Sequence, residues 1–217
     1  MKTIVHEIPY SPASNLDEEI FTASSVFFDI ETTGFSPAHT SLYLIGCAYH
    51  IEQMLYIKQY FAETPEEEKE VLEQFLLLLD GFDTIITFNG IGFDIPYLKA
   101  KCNTYECNEH FADFTYVDIF KSISQIKHIL QLPNYKQKTI EAFLGIGRND
   151  LYSGGELIEI YHSYTKEPRP DKLEILLLHN YEDVLDMPAL LPVLSYVHLF
   201  YGCLLYTSPS PRDGATS

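Results

Sequence analysis

Three short stretches place carboxylates where chemistry could follow. In VFFDIETTGF (26–35), Asp29 and Glu31 interrupt an apolar run of strand type. In TFNGIGFDIPYL (87–98), Asp94 follows a strand, a glycine-bearing turn and an aromatic residue, and it opens a helix. In HNYEDVLDMPAL (179–190), inside a helical run, Asp183 stands four residues after His179. Residues i and i+2 of a strand share a face, so Asp29 and Glu31 project together while Phe28 and Ile30 point away. Two carboxylates about 4 Å apart repel by roughly 4 kcal/mol at an effective dielectric of about 20, and a cation between them converts that repulsion into a binding site. Asp94 reads equally as an N-cap with Pro96 in the first turn; a carboxylate has lone pairs enough for both roles. His179 and Asp183 share a helix face, Tyr181 points elsewhere, and Asp186 could share the side of Asp183. Alone, this patch is equally well a solvated helix face.

The elements that must position these groups are legible from pattern. A strand is expected at about 24–31, followed by two β-prone segments, SLYLIGCAYH (41–50) and QMLYIKQYFA (53–62), whose tight connection predicts a hairpin. TPEEEKEVLEQFLLLLDG (64–81) reads as a helix with Thr64 as N-cap, Pro65 in its first turn and Glu66, Glu67 and Glu68 at the positive end of its dipole. A fourth strand is expected at 83–89, a short helix at 94–102 and a fifth strand at 115–120, with helices near 119–131, 138–145, 154–164 and 170–199. The fold class is α/β: a mixed sheet of about five strands flanked by helices.

The 217 residues suggest one domain, over 23–200, preceded by a polar lead-in at 1–22. The tail at 201–217 turns abruptly polar, lacks periodicity and reads as non-native sequence. A hydrophobic content of 46% fits a folded chain, and the formal charge of −17 disfavours a broad basic coat for nucleic acid while permitting a local basic track. No apolar run approaches a membrane span and the N-terminus lacks a signal-peptide core. The four cysteines, none in a C-x-x-C pair, are expected as free thiols in a reducing cytoplasm. Cys102, Cys107 and His110 are loosely spaced for zinc and lack an evident fourth ligand.

In order, FDIET, FNGIGFD and HNYED resemble the three exonuclease motifs of the DEDD superfamily, whose fold is ribonuclease-H-like. TFNGIGFDIPYL looks like the second motif of family B DNA polymerase proofreading domains, and the wider match, over about 24–195, is to the YprB-like family of predicted exonucleases. Its helical middle resembles DIF…LPNYKQKTIEAFLGIGR…YSGGELIEIY (118–161). The resemblance implies a 3′–5′ exonuclease acting on DNA or RNA, in which Asp29, Glu31, Asp94 and Asp183 bind two divalent cations. Hard oxygen ligands suit Mg²⁺ or Mn²⁺. It also implies a Tyr or His just before the last Asp to manage the attacking water. Members with Tyr place it four residues before that Asp and members with His usually five; here His179 lies four before Asp183, and Tyr181 with Asp186 is the alternative register.

The expected partner is nucleic acid, as a single strand or a 3′ end. Between 121 and 148, Lys121, Lys127, Lys136, Lys138 and Arg148 face only one acid, Glu141. Lys136, Lys138 and Arg148 are therefore candidate phosphate contacts, or simply solvated surface. Thr32, in the TTG exit, and Asn89, beside the second motif, are further candidate substrate contacts; Asn89 reads equally as a turn residue before Gly90. A structure-selective endonuclease with the same site and a non-catalytic nucleic-acid adaptor are the competing readings.

Overall fold

The computed structural model describes residues 1–12, 14–197 and 199. In chain order the elements are β1 (Lys2–Pro9), α1 (Asn15–Ile20), β2 (Ser25–Thr32), β3 (Leu42–Ile51), β4 (Met54–Phe61), α2 (Glu68–Leu79), β5 (Thr84–Thr87), α3 (Asp94–Tyr105), β6 (Thr115–Asp118), α4 (Ile119–Ser124), α5 (Lys127–Leu130), α6 (Gln137–Leu144), α7 (Gly154–Lys166) and α8 (Pro170–Leu190). The six strands form one mixed sheet in the order β1-β4-β3-β2-β5-β6. β1 to β4, β4 to β3 and β3 to β2 pair antiparallel, whereas β2 to β5 and β5 to β6 are parallel. This is the α/β architecture expected from the pattern, with a sixth strand added at one edge.

β2 lies inside the sheet and is covered on both faces, which is why its sequence is almost continuously apolar. Val26, Phe28 and Ile30 pack on one side with Leu72 and Phe75 of α2 and Leu98 of α3. Phe27 packs on the other with Ile86 of β5 and with Val184 and Met187 of α8. Each such fully buried side chain contributes roughly 1.5–3 kcal/mol. By the two-residue period, Asp29 and Glu31 fall on the Phe27 side, the face that α8 covers.

Several local expectations are revised. Residues 2–9, read as part of a polar lead-in, pair with β4 along their length, from Lys2 opposite Phe61 to Pro9 opposite Met54. Their polar character suits an edge strand. Thr64 stands at the expected N-cap position but makes no side-chain cap bond, and Pro65–Glu67 form a 3₁₀ turn ahead of α2. The strand read at 115–120 ends at Asp118, whose carboxylate accepts the Lys121 N–H at 2.9 Å and starts α4. The helix read at 119–131 is two pieces, α4 and α5. Among the described residues Cys102, Cys107 and His110 form no ligand cluster. No helix among them is long and apolar enough to cross a membrane. The suspected non-native tail at 201–217 lies outside the described residues.

Candidate active site

α8 crosses the β2 face and brings the third acidic motif over the first. His179 Nε2 lies 3.6 Å from Glu31 Oε1 and 3.3 Å from Asp183 Oδ2. One ligand atom from each of these residues falls within 4.8 Å of the others, a grouping able to hold a metal ion. Asp29 enters from the same strand face and is held by α8 itself: Asn180 Nδ2 donates to Asp29 Oδ2 at 3.2 Å. Asn180 is fully buried and also accepts from Gln59 Nε2 of β4 at 3.0 Å. The neighbouring β3 residue, opposite Asp29 in the ladder, is Gly46. A Cβ there would lie 2.1 Å from Asn180 Oδ1, so only glycine lets α8 approach this closely.

Asp94 joins from α3, but not as an N-cap. Phe93 holds the cap position, and Asp94 Oδ1 accepts the Ile30 N–H of β2 at 3.2 Å. Its carboxyl therefore ties the second motif to the first strand while also accepting its own backbone N–H at the start of α3. The turn ahead of it is fixed by Asp118, which accepts the backbone N–H groups of Asn89 and Ile91, each at 3.1 Å. Asn89 has φ +69 and is exposed, as its reading as a turn residue requires, and it lines a cavity with Phe88 and Gln137. Thr32 donates to the Gly34 carbonyl at 2.8 Å and so shapes the TTG exit.

The electrostatics are those of a crowded acid pocket. Burial, and then the Asp183 and Asp94 carboxylates, push both Asp29 and Glu31 well above the usual carboxylate range. Burial also pushes Asp94 up to about 7, against the backbone N–H groups that favour its charged form. The carboxylates of α3 and α8 thus raise the cost of ionising the pair on β2, which is the condition a hard divalent cation relieves. The oxygen-rich donor set fits such an ion.

Two of the expected phosphate contacts sit elsewhere. Arg148, read as part of an exposed basic track, has a side chain only 7% exposed and is an internal counter-ion. Its Nη1 lies 2.6 Å from Asp183 Oδ1 and 3.0 Å from Glu141 Oε1. Nη2 and Nε lie 3.6 Å from Asp150 Oδ2 and 3.7 Å from Glu182 Oε2 respectively. Burial works against its charge, but the carboxylates of Asp183 and Glu141 outweigh it. Lys138 is bound to Asp150 Oδ2 at 2.6 Å and to the Tyr152 carbonyl at 2.7 Å. Lys136 alone of the three is exposed and without a carboxylate partner among the described residues. The reason is that α6 and the loop after it fold back against α8, turning a basic segment toward acids.

Sequence reasoning missed Asp150, Glu182 and Asn180. Asp150 Oδ2 lies 2.6 Å from His179 Nδ1, so the imidazole donates there and presents Nε2 to Glu31 and Asp183. Burial works against the Asp150 charge, yet Lys138, the Tyr152 N–H and His179 together hold it below the usual carboxylate range. Glu182 accepts the Asn149 and Asp150 N–H groups at 2.9 and 2.8 Å and pins that loop to α8. The only sequence signal was the density of polar groups in HNYED, where His179, Asn180 and Glu182 are buried. Tyr181 faces away, packing edge-on to His6 at 4.7 Å and lining an apolar groove with Ile4 and Leu177. Asp186, one turn on, is pushed up to about 7 by burial and by Glu141.

The family model RNase_H_2, of the RNase_H superfamily, matches residues 26–195. The chain is 28% identical over 191 residues to the uncharacterized protein YprB of Bacillus subtilis (strain 168), covering 86% of this chain and 44% of that one. It thus spans under half the length of that relative. A 43-residue segment is 42% identical to a DNA polymerase of Methanocaldococcus jannaschii, covering 20% of this chain and 3% of the polymerase. Among solved structures, the family B DNA polymerase of Pyrobaculum calidifontis superposes with a TM-score of 0.61 at 18% identity, over 79% of this chain and 24% of that one. Exonuclease I of E. coli in complex with a dT13 oligonucleotide superposes with a TM-score of 0.51 at 13% identity, over 86% and 44%. At these identities the two structures share the fold.

Proposed function

Because the chain belongs to the RNase_H superfamily, we propose that it is a metal-dependent nuclease, and within that class a 3′–5′ exonuclease of the DEDD type acting on single strands or 3′ ends. The observation that carries this reading is the convergence of Glu31, His179 and Asp183 within 4.8 Å, with Asp29 on the same strand face and Asp94 bonded to that strand. Asp29, Glu31, Asp94 and Asp183 would hold two divalent cations, Mg²⁺ or Mn²⁺. Such ions, when bound, stabilise the attacking and leaving oxygens of an in-line phosphodiester displacement. The chain's own groups do the rest. Asn180 orients Asp29, Arg148 offsets the charge of Asp183, and Asp150 fixes the His179 ring so that Nε2 can accept a proton from the attacking water. The unbridged, buried Cys47 and Cys102 are consistent with a reducing, cytoplasmic setting.

A time course on 3′-labelled, 5′-labelled and circular single strands, with Mg²⁺, Mn²⁺ or EDTA, tests the reading. Stepwise shortening from the 3′ end, dependent on metal, is expected. Cutting of circles would replace it with an endonuclease, and binding without cleavage with an adaptor. Ca²⁺ should support binding better than turnover, because its coordination is looser.

The role of His179 has its own test. His179→Ala should slow the single-turnover chemical step by about 10²–10⁴-fold at saturating metal, with a much smaller effect on substrate affinity. Tyr181→Phe should be near silent, since its ring packs on His6. A dead Tyr181→Phe beside an active His179→Ala would move the assignment to Tyr181 and Asp186.

A further inference from the structure

We propose that a second binding site for the nucleic-acid strand lies beside Asn89, a nucleotide subsite that stacks a base on Phe120 and Tyr135 and takes its phosphate on Lys127 and Lys136. It is a cavity of about 550 Å³ whose walls also include Phe88 and Gln137, and no carboxylate lines it. In a chain of formal charge −17 that absence is selective. Neither Lys127 nor Lys136 has a carboxylate partner among the described residues, whereas Lys138 and Arg148 of the same segment are consumed by internal acids.

The arrangement inside the cavity matches a stacked nucleotide. Phe88 and Phe120 lie with ring centroids 5.9 Å apart. The Lys127 ammonium sits 4.5 Å from the centre of the Phe120 ring and 4.9 Å from that of Tyr135. It thus covers the ring faces on which a base would stack. The Tyr135 hydroxyl donates to the Lys127 carbonyl at 2.7 Å and fixes the tyrosine ring against the lysine's backbone. A base entering between the rings displaces the ammonium, which then meets the phosphate of the same nucleotide. One cation–π contact is exchanged for base stacking and an ion pair, the combination by which single strands are held without sequence preference.

Two of its lining residues tie the cavity to elements of the reaction centre. Asn89 belongs to the turn that leads to Asp94, and Gln137 donates to the Asp183 carbonyl at 2.8 Å. The subsite would therefore hold a nucleotide away from the scissile bond and set the strand's path to it. The proposal rests on the nuclease reading for that path, and its test reads binding alone.

Fluorescence anisotropy of 5′-fluorescein dT12 and rU12, in Ca²⁺ with the full chain, provides that test. Tyr135→Ala and Lys127→Met are each expected to raise Kd for at least one of the two probes by roughly five-fold or more. Tyr135→Phe, which keeps the ring, should lose less than Tyr135→Ala, so that stacking is separated from the loop's hydrogen bond. Lys136→Ala should flatten the slope of log K against log salt by about 0.7. Lys166→Ala, an exposed lysine on α7, should change neither quantity. Affinities within two-fold of the parent for both Tyr135→Ala and Lys127→Met, or equal losses in Lys166→Ala, overturn the subsite, as does a parent chain that binds neither probe. A chain that binds through these residues but cleaves nothing upholds the subsite and removes the nuclease reading. Cleavage with unaltered binding in the variants does the reverse.

Discussion

Asp29→Asn is expected to remove hydrolysis almost completely, and Asp183→Asn likewise, while both leave the fold intact. A bound divalent ion contributes several kcal/mol of transition-state charge stabilisation. At about 1.4 kcal/mol per factor of ten, losing one carboxylate of the set that would hold the ions should lower single-turnover cleavage by about three orders of magnitude. Stability without metal should move the other way. Burial and the neighbouring acids hold Asp29 and Glu31 well above their ordinary range, and burial holds Asp94 at about 7. An acid whose folded pKa lies above its unfolded one stabilises the fold at low pH, and that contribution is lost as pH rises through the folded value. The metal-free Tm should accordingly fall between pH 6 and pH 8, and Asn at position 29 should flatten that fall and raise Tm at pH 8. Cleavage at near-parent rate by either variant in Mg²⁺ or Mn²⁺ would refute the four-carboxylate assignment. A metal-free Tm that climbs with pH would refute the repulsion behind it.

Arg148→Met should destabilise the protein by about 3–5 kcal/mol, the usual result of removing one partner from a buried ion pair. At about 2–4 °C per kcal/mol for a chain of this size, Tm falls by roughly 6–20 °C. The loss is large because Glu141 and Asp150, with side chains each 1% exposed, and Asp183, at 13%, would remain buried with their shared cation gone. Arg148→Lys should recover part of it, since one ammonium cannot reproduce contacts made by three guanidinium nitrogens. Thermal melts of the two variants, with and without Mn²⁺, decide the matter. If Arg148→Met melts like the parent and instead weakens oligonucleotide binding with a flatter salt slope, Arg148 faces the substrate and not the acids.

The contrast between Arg148 and Lys136 marks where sequence stops being informative. Both stand in one basic stretch, and both carry a charge that pattern alone assigns to the surface. One ends up inside because the loop after α6 is pinned by Glu182, which accepts two of its N–H groups from more than thirty residues away. Nothing local encodes that contact. The edge strand β1 is a similar case: its polar residues suit an edge, but pairing with β4, some fifty residues on, is a non-local event.

What the sequence determined by itself are the features with a short physical period. The two-residue alternation of β2 puts Asp29 and Glu31 on one face, and the four-residue spacing of His179 and Asp183 puts both on one side of α8. The order of three acidic motifs within alternating strands and helices specified the α/β sheet. Tertiary structure alone decided how those faces meet. Gly46 lets α8 close on β2, Asn180 locks Asp29 to it, Asp150 turns the His179 ring, and Arg148 supplies a cation to acids on α6, α8 and the loop between. These are contacts between residues far apart in the chain, and whether a charged side chain meets water or a counter-ion depends on the surface it is folded against, which no local pattern records.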